Sequence, residues 1–489
     1  MPAGVSLIDF YLLLPEMVLA VGAMLVLAAD VVVPRERRAW VIALALAVLA
    51  ATAGAVVVIG APHATVARGL FAVDAFGVYV KLLVIGSAAV ALLMSVRYLE
   101  VQGAPAAVYA FLVLTAVLGM MVMASGTDLI TLFVGLETMS VSFYVLAGFL
   151  RLHRRSNEAA MKYYLLGAFS VAILLYGMSM LYALTGSTNL QVIARAIAAA
   201  GPSPVLSLAV ILVVAGLAFK IAAVPFHMWA PDVYEGAPTP ITALLSVGST
   251  AAAFAMLLRL CVEGLPTANV DWRLLFDLLA VVTMVVGNIA ALTQSNVKRL
   301  LAYSSIAHAG YILIGVVAGT PRGVTASLIY LAVYAFMQLG AFAVLVLLQR
   351  ERTGGEELND LTGLYYRRPA AAVAMLIFML SLGGIPPTAG FMGKLWLFGA
   401  AIDAGYIRLA VIGVLMSAVS LYYYLRIVIV MWQREDEPEP LPSAGPAWAT
   451  AMAVAVAGTL LLGVYPAPMF EAAAASARAL GAVVATVGR

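Results

Sequence analysis

The amino-acid sequence predicts an all-α polytopic membrane protein of about fourteen transmembrane helices. Three observations carry that prediction. Of the 489 residues, 64% are apolar and only 10% charged, whereas a soluble domain carries about a quarter charged residues. The mean hydropathy is +1.06, and the apolar residues fall in runs near the roughly 20 residues that cross a bilayer. The segments between runs are short, so little chain remains for a soluble domain. The 27 basic and 24 acidic residues leave a net charge of +3. That near balance argues against nucleic acid as a partner and, with this hydropathy, against disorder.

Taken in order, the runs place spans at 8–29, 39–60, 72–96, 106–124, 128–150, 159–184, 205–230, 238–262, 272–294, 300–319, 323–349, 369–402, 405–432 and 446–466. Between the sixth and seventh, Asn189–Ala200 has the size of an interfacial helix, and the Ala-rich tail 470–489 is a second candidate. The longest loops, 349–368 and 433–445, are charged and polar, and no linker divides the chain, so 1–489 reads as one membrane domain. Basic residues concentrate in alternate loops, among them Arg35, Arg37, Arg151, Arg154, Arg155, Lys298, Arg299, Arg350 and Arg352. The excess of basic residues on the cytoplasmic side then predicts both termini outside. The first residues, Met1–Phe10, lack a basic region, so the sequence predicts no cleaved signal.

The counts also narrow the chemistry. A single cysteine, Cys261, forms no intramolecular disulfide and holds no iron–sulfur cluster. The four histidines, His63, His153, His227 and His308, stand at no metal-ligand spacing. Neither a GxxxxGK[ST] loop nor a GxGxxG after a strand is present. The expectation is a chain without a redox group or nucleotide site of its own.

Two spans are interrupted alike. The seventh contains FKIAAVPFHMW (Phe219–Trp229), and the twelfth SLGGIPPTAGFMGK (Ser381–Lys394). Proline removes a backbone donor and glycine loosens the helix, freeing polar backbone at membrane depth, where it must line a wet cavity or be buried in protein. A matched pair of broken helices five spans apart suggests a five-helix repeat. An odd number of spans inverts the second copy, a pattern of transporters. Two ordinary proline kinks are the plainer alternative.

The lysines are the sharpest signal. Four of the five, Lys81, Lys162, Lys220 and Lys394, fall inside predicted spans, and the arginines fall in loops, tails or span ends. Arginine keeps its charge, whereas desolvation disfavours a lysine ammonium enough to bring proton exchange within reach near neutral pH. Lys162 lies near a span end, where snorkelling accounts for it equally well. Lys220 and Lys394 lie deeper, beside the breaks. Glu137 is the deepest acid, and an intramembrane carboxylate needs a partner or a proton; the expected partner is Lys162 or Lys220. The alternative is an ion pair that only fixes helix positions. His227 and His308 are candidate relays or hydrogen-bonded structural histidines. Asp74 and Lys81 are placed to share one helix face, and Glu16 sits in an outer half-span.

At these residues the chain resembles the antiporter-like subunits of proton-pumping NADH:quinone oxidoreductase, respiratory complex I. The stretches that carry the resemblance are Leu129–Phe149 around Glu137, Glu158–Leu165 around Lys162, FKIAAVPFHMWAPDVYE (Phe219–Glu235), QSNVKRLLAYSSIAHAGYILIG (Gln294–Gly315) and GGIPPTAGFMGKLWLF (Gly383–Phe398). Among these subunits, the Leu14-Pro15-Glu16 run, the lysine of the twelfth span and the short C-terminal part resemble subunit N.

The resemblance implies three N-terminal helices (1–105), inverted five-helix repeats over 106–262 and 272–432, and a C-terminal helix and tail (446–489). It implies proton translocation through Glu137, Lys162, Lys220 and Lys394, with His308 at the tenth-span histidine position. It also implies NADH, FMN, iron–sulfur clusters and quinone in partner subunits, neighbouring antiporter-like subunits as contacts, and a bacterial inner membrane as the location. Many relatives have a lysine where this chain has Thr250. A water chain supported by Ser249, Thr250 and His308 is the expected bridge, with Lys81 an outlying auxiliary. The competing assignments are a subunit of a cation/proton antiporter complex or membrane-bound hydrogenase, and an independent solute transporter, which would need more polar side chains near the breaks.

Overall fold

A computed structural model describes residues 6–33, 38–265, 272–349, 355–434 and 445–487. Of the residues used for orientation, Arg35, Arg37, Arg350 and Arg352 lie outside them. Among the described residues, twelve helices are long and apolar enough to cross a membrane. Two broken spans bring the number to the fourteen expected.

Spans 1–3 are Leu14–Val32, Arg38–Ile59 and Ala75–Gln102; spans 4–6 are Ala106–Ser125, Leu129–Ala147 and Arg154–Thr185. Span 7 runs as Pro204–Lys220 and, after the break, Trp229–Gly236. Span 8 is Thr239–Gly264. Spans 9–11 are Trp272–Leu292, Val297–Ala318 and Pro321–Leu348. Span 12 runs as Pro369–Gly383 and Ala389–Asp403, followed by span 13, Ile407–Trp432, and span 14, Gly445–Val464. The interfacial helix is Leu190–Ala200, and the tail forms a helix over Ala467–Val487. Boundaries follow local chemistry. Asp74, Asp128 and Asn296 cap spans 3, 5 and 10 by accepting from backbone N–H groups of the first turn. Gly103, Gly186 and Gly319 close spans 3, 6 and 10 in the left-handed conformation.

The inverted repeat is visible in hydrogen bonds. Leu129 N donates to Thr188 O (2.8 Å) and Leu190 N to Thr127 O (3.0 Å), joining the loops at one end of spans 4–6. In the second unit Val297 N donates to Glu356 O (2.7 Å) and Leu358 N to Ser295 O (2.9 Å), at a constant sequence offset. Five intervening spans turn the second clasp to the opposite membrane face. The same offset relates the helix contacts. Gly119 lies against the backbone of Gly135 and Met139, and Gly287 against that of Tyr303 and Ala307, so a side chain at either glycine meets main chain. Without a hydrophobic driving force between helices in lipid, such close approaches hold a bundle together.

Three features were not foreseen. A short antiparallel hairpin, Ala64–Val66 with Phe71–Val73, lies beyond span 2. Span 8 is not uniformly α-helical: Leu245–Ser249 and Leu260–Gly264 are wider π turns, which occur often at functional positions. Lys298 also departs from expectation. Hydropathy puts it in a loop, yet it stands in the first turn of span 10, 1% exposed, donating to Ala237 O (2.8 Å) and paired with Glu356 (3.0 Å). The loops that meet there make it interior.

Candidate functional site

Lys220 closes the first half of span 7. Its Nζ donates to Ser140 Oγ (2.8 Å) and Tyr144 OH (3.3 Å) on span 5, and faces the Tyr144 and Phe219 rings. The freed backbone is satisfied by other groups: Trp229 Nε1 donates to Phe219 O (2.8 Å), and Val224 N donates to Thr283 Oγ1 of span 9 (3.0 Å). Trp229 is fixed by stacking on Tyr163 at 4.5 Å. The ammonium therefore keeps only hydroxyl partners. Glu137, near the middle of span 5, interacts with it electrostatically, and its Oε1 has no hydrogen-bond partner.

Lys394 stands on the other side of its break, in the second half of span 12. Its Nζ donates to Leu382 O (2.9 Å), Gly383 O (3.0 Å) and Ser417 Oγ (2.6 Å), and lies over Tyr311. Both lysines are buried, and among the described residues no carboxylate bridges either.

His308, fully buried in span 10, joins two tyrosines: Nδ1 is 2.7 Å from Tyr330 OH and Nε2 3.0 Å from Tyr424 OH. Tyr424 OH in turn meets Ser304 Oγ at 2.5 Å, and neighbouring Ser305 Oγ meets Tyr234 OH at 3.2 Å. Hydroxyls and a neutral imidazole donate and accept at once. This cluster links the second half of span 7 to the side of span 12 where Lys394 sits. Tyr234, Ser304, Ser305, Tyr330 and Tyr424 are not among the residues that stand out in the sequence; tyrosines inside apolar runs are the available signal.

One expectation about pairing is corrected. Lys162 does not meet Glu137. It pairs with Glu158 (2.7 Å) and Asp232 (2.6 Å), is 42% exposed at its side chain, and shares Asp232 with Arg299. Asp232 follows the break in span 7, and its reach back to span 6 captures the lysine first. Asp74 and Lys81, seven residues apart at span 3, have separate partners. Lys81 pairs with Glu16 (2.6 Å), outside both repeats, while Asp74 holds Arg259, which also bonds Glu263 (2.7 Å) and Ala124 O. Arg259, at the end of span 8, is completely buried.

His227 lies in the first break with Nδ1 unpartnered. Ser249 Oγ is tied to Leu245 O of its own helix (2.6 Å), and buried Thr250 follows the π turn. Loops at the basic face gather around a cavity of about 1090 Å³ whose wall includes Glu100, Arg155, Glu235, Lys298, Glu356 and Asp360. Among the described residues no cluster of side chains could hold a metal.

Two inverted five-helix units, each with a broken helix beside a buried lysine, define the class of antiporter-like membrane subunits. The family model described as "NADH:quinone oxidoreductase/Mrp antiporter, TM" matches residues 125–420. The chain is 47% identical over 484 residues to NADH-quinone oxidoreductase subunit N 1 of Koribacter versatilis, covering 95% of each. It is 45% identical to subunit N of Trichlorobacter lovleyi, covering 87% of this chain and 88% of that one. A chain of respiratory complex I from Thermus thermophilus superposes with a TM-score of 0.81 at 35% identity, covering 94% of this chain and 99% of that one. An Mrp complex chain from Dietzia sp. shares the fold at 24% identity, with a TM-score of 0.83 and 99% of each covered. The chain belongs to the NADH:quinone oxidoreductase/Mrp antiporter membrane family, among the NADH-quinone oxidoreductase subunits N.

Proposed function

We propose that this chain is the N-type membrane subunit of an NADH:quinone oxidoreductase and moves protons through Glu137, Lys220, His308 and Lys394, with Lys162 as a flanking site. The observation that carries this is the pair of buried lysines at broken helices, neither bridged to a carboxylate, with a hydroxyl and imidazole cluster between. A fixed salt bridge would hold a lysine charged; hydroxyls stabilise the ammonium less. Protons then pass by exchange among Nζ, hydroxyl and imidazole groups. The charge on Glu137 stabilises the Lys220 ammonium, and its withdrawal lets the proton leave. Identities of 41% to 47% to subunits N, against 24% to an Mrp chain, favour this over a cation/proton antiporter subunit.

NADH oxidation and quinone reduction, with FMN and iron–sulfur clusters, fall to partner subunits in this proposal. Glu137 supports a lateral partner. It is half-buried on a face of span 5 shared with Val134, Val141 and Val145, each about half exposed. A carboxylate at mid-span needs polar company, which a neighbouring membrane subunit supplies. The basic face lies inward in a bacterial inner membrane, and both termini lie outside.

The test is to purify complexes carrying Lys220→Ala or Glu137→Gln. Both are expected to assemble and to lose most NADH-driven proton pumping. Wild-type pumping in both would overturn the assignment.

A further inference from the structure

Span 11 carries Tyr330, Tyr334 and Gln338 at successive four-residue intervals, which puts them in one stripe along the helix. Tyr330 is bonded to His308. The other two are less well served. Among the described residues, the Nε2 and Oε1 of Gln338, which is 0% exposed, close no hydrogen bond, and the buried Tyr334 hydroxyl, although beside Ser305, closes none of ordinary geometry. Three unpaired polar atoms at membrane depth are costly unless water satisfies them. Their position matters. Tyr334 neighbours Tyr234, Ser305 and Tyr424, so it stands between the Tyr234–Ser305 contact and the Tyr424–His308 contact. The π turn Leu245–Ser249, just before Thr250, packs on the same helix.

We propose that Gln338 and Tyr334 are positioning residues that hold internal water along span 11, and that this water closes the gap between the first broken helix and His308. The proposal rests on the proton-moving role above. It places the central crossing on span 11 instead of on the Ser249 and Thr250 hydroxyls, of which Ser249 is already tied to its own helix. An amide that both donates and accepts can orient two waters at once, and a tyrosine hydroxyl passes a proton onward. Bridged by water, neighbouring groups of the stripe form a continuous chain that ends at His308.

Wet and merely structural roles predict opposite orders for two substitutions. Gln338→Leu fills the space and dries it. Gln338→Ala opens a cavity one helical turn from Tyr334 into which water fits, at the packing cost of a truncated side chain. Intact complexes in proteoliposomes are expected to pump about fivefold more slowly with Gln338→Leu, the rate equivalent of one lost hydrogen bond, and Gln338→Ala is expected to retain more pumping than Gln338→Leu. Equal wild-type pumping in both, or better pumping by Leu than by Ala, overturns the proposal. If Gln338→Leu does not assemble, Tyr334→Phe decides: slowed pumping supports the water path, and unchanged pumping removes it. Loss of pumping in Lys220→Ala with normal pumping in all three variants would leave the overall function standing while this path fails.

Discussion

The seventh and twelfth spans are broken alike in sequence and relieved differently in structure. At the first break an indole takes the carbonyl of Phe219 and a threonine from span 9 takes the amide of Val224. Lys220 is thereby left with Ser140 and Tyr144, under the field of Glu137. At the second break Lys394 itself takes the carbonyls of Leu382 and Gly383. One lysine is spared the work of holding its break, and the other is the cap of the helix it interrupts. Similar motifs therefore need not divide structure and chemistry in the same way. The first site separates the two; the second merges them.

The largest expected effect follows from that merger. Lys394→Ala leaves the buried Leu382 carbonyl without its donor, at about 1–3 kcal/mol, and strips Gly383 O of its charged donor, leaving it the Ser417 hydroxyl alone. The yield and thermal stability of the assembled complex should fall along with pumping, whereas Lys220→Ala should lower pumping alone. Equal stability losses in the two variants would erase the contrast.

Arginine sharpens it. Arginine retains charge and donors yet does not release its proton, so Lys394→Arg should recover more assembly than Lys394→Ala while pumping stays low. Lys220→Arg should assemble and fail to pump. Recovered pumping in either would show that proton release from the lysine is dispensable.

A smaller effect is confined to the first break. Thr283→Val orphans the Val224 amide and should cost about 1–3 kcal/mol, visible as a lower melting temperature with a modest loss of pumping. The smallest change is expected at Ser417→Ala. It removes one of three acceptors from Lys394 at about 0.5–1.5 kcal/mol, because Leu382 O and Gly383 O continue to hold the ammonium. A pumping loss as deep as that of Lys394→Ala would assign Ser417 a direct part in transfer.

Particular residues show how much of this was legible beforehand. The spans and both breaks could be read because hydropathy, proline and glycine act within a few residues of themselves. Lys220 and Lys394 were legible for the same reason, lying deep in apolar runs. Lys162 and Lys298 exchanged roles: the one inside a predicted span is partly exposed, and the one assigned to a loop is buried. Near a span end, burial depends on which loops fold over it. Arg259 makes the same point, since Asp74, Glu263 and Ala124 meet it from three parts of the chain. The His308 cluster was half legible. The histidine was picked out, but its tyrosines come from spans 11 and 13 and looked like ordinary apolar ballast.

By itself, then, the sequence determined the number and order of spans, the two interruptions, and which lysines lie deepest, because each depends on local transfer energy and backbone chemistry. The tertiary structure decided every pairing. Which acid holds Lys162, which groups relieve each break, and whether Gln338 finds a partner all depend on side chains far apart in the chain. Hydrogen bonds and ion pairs act over a few ångströms, and only packing brings those groups within that range.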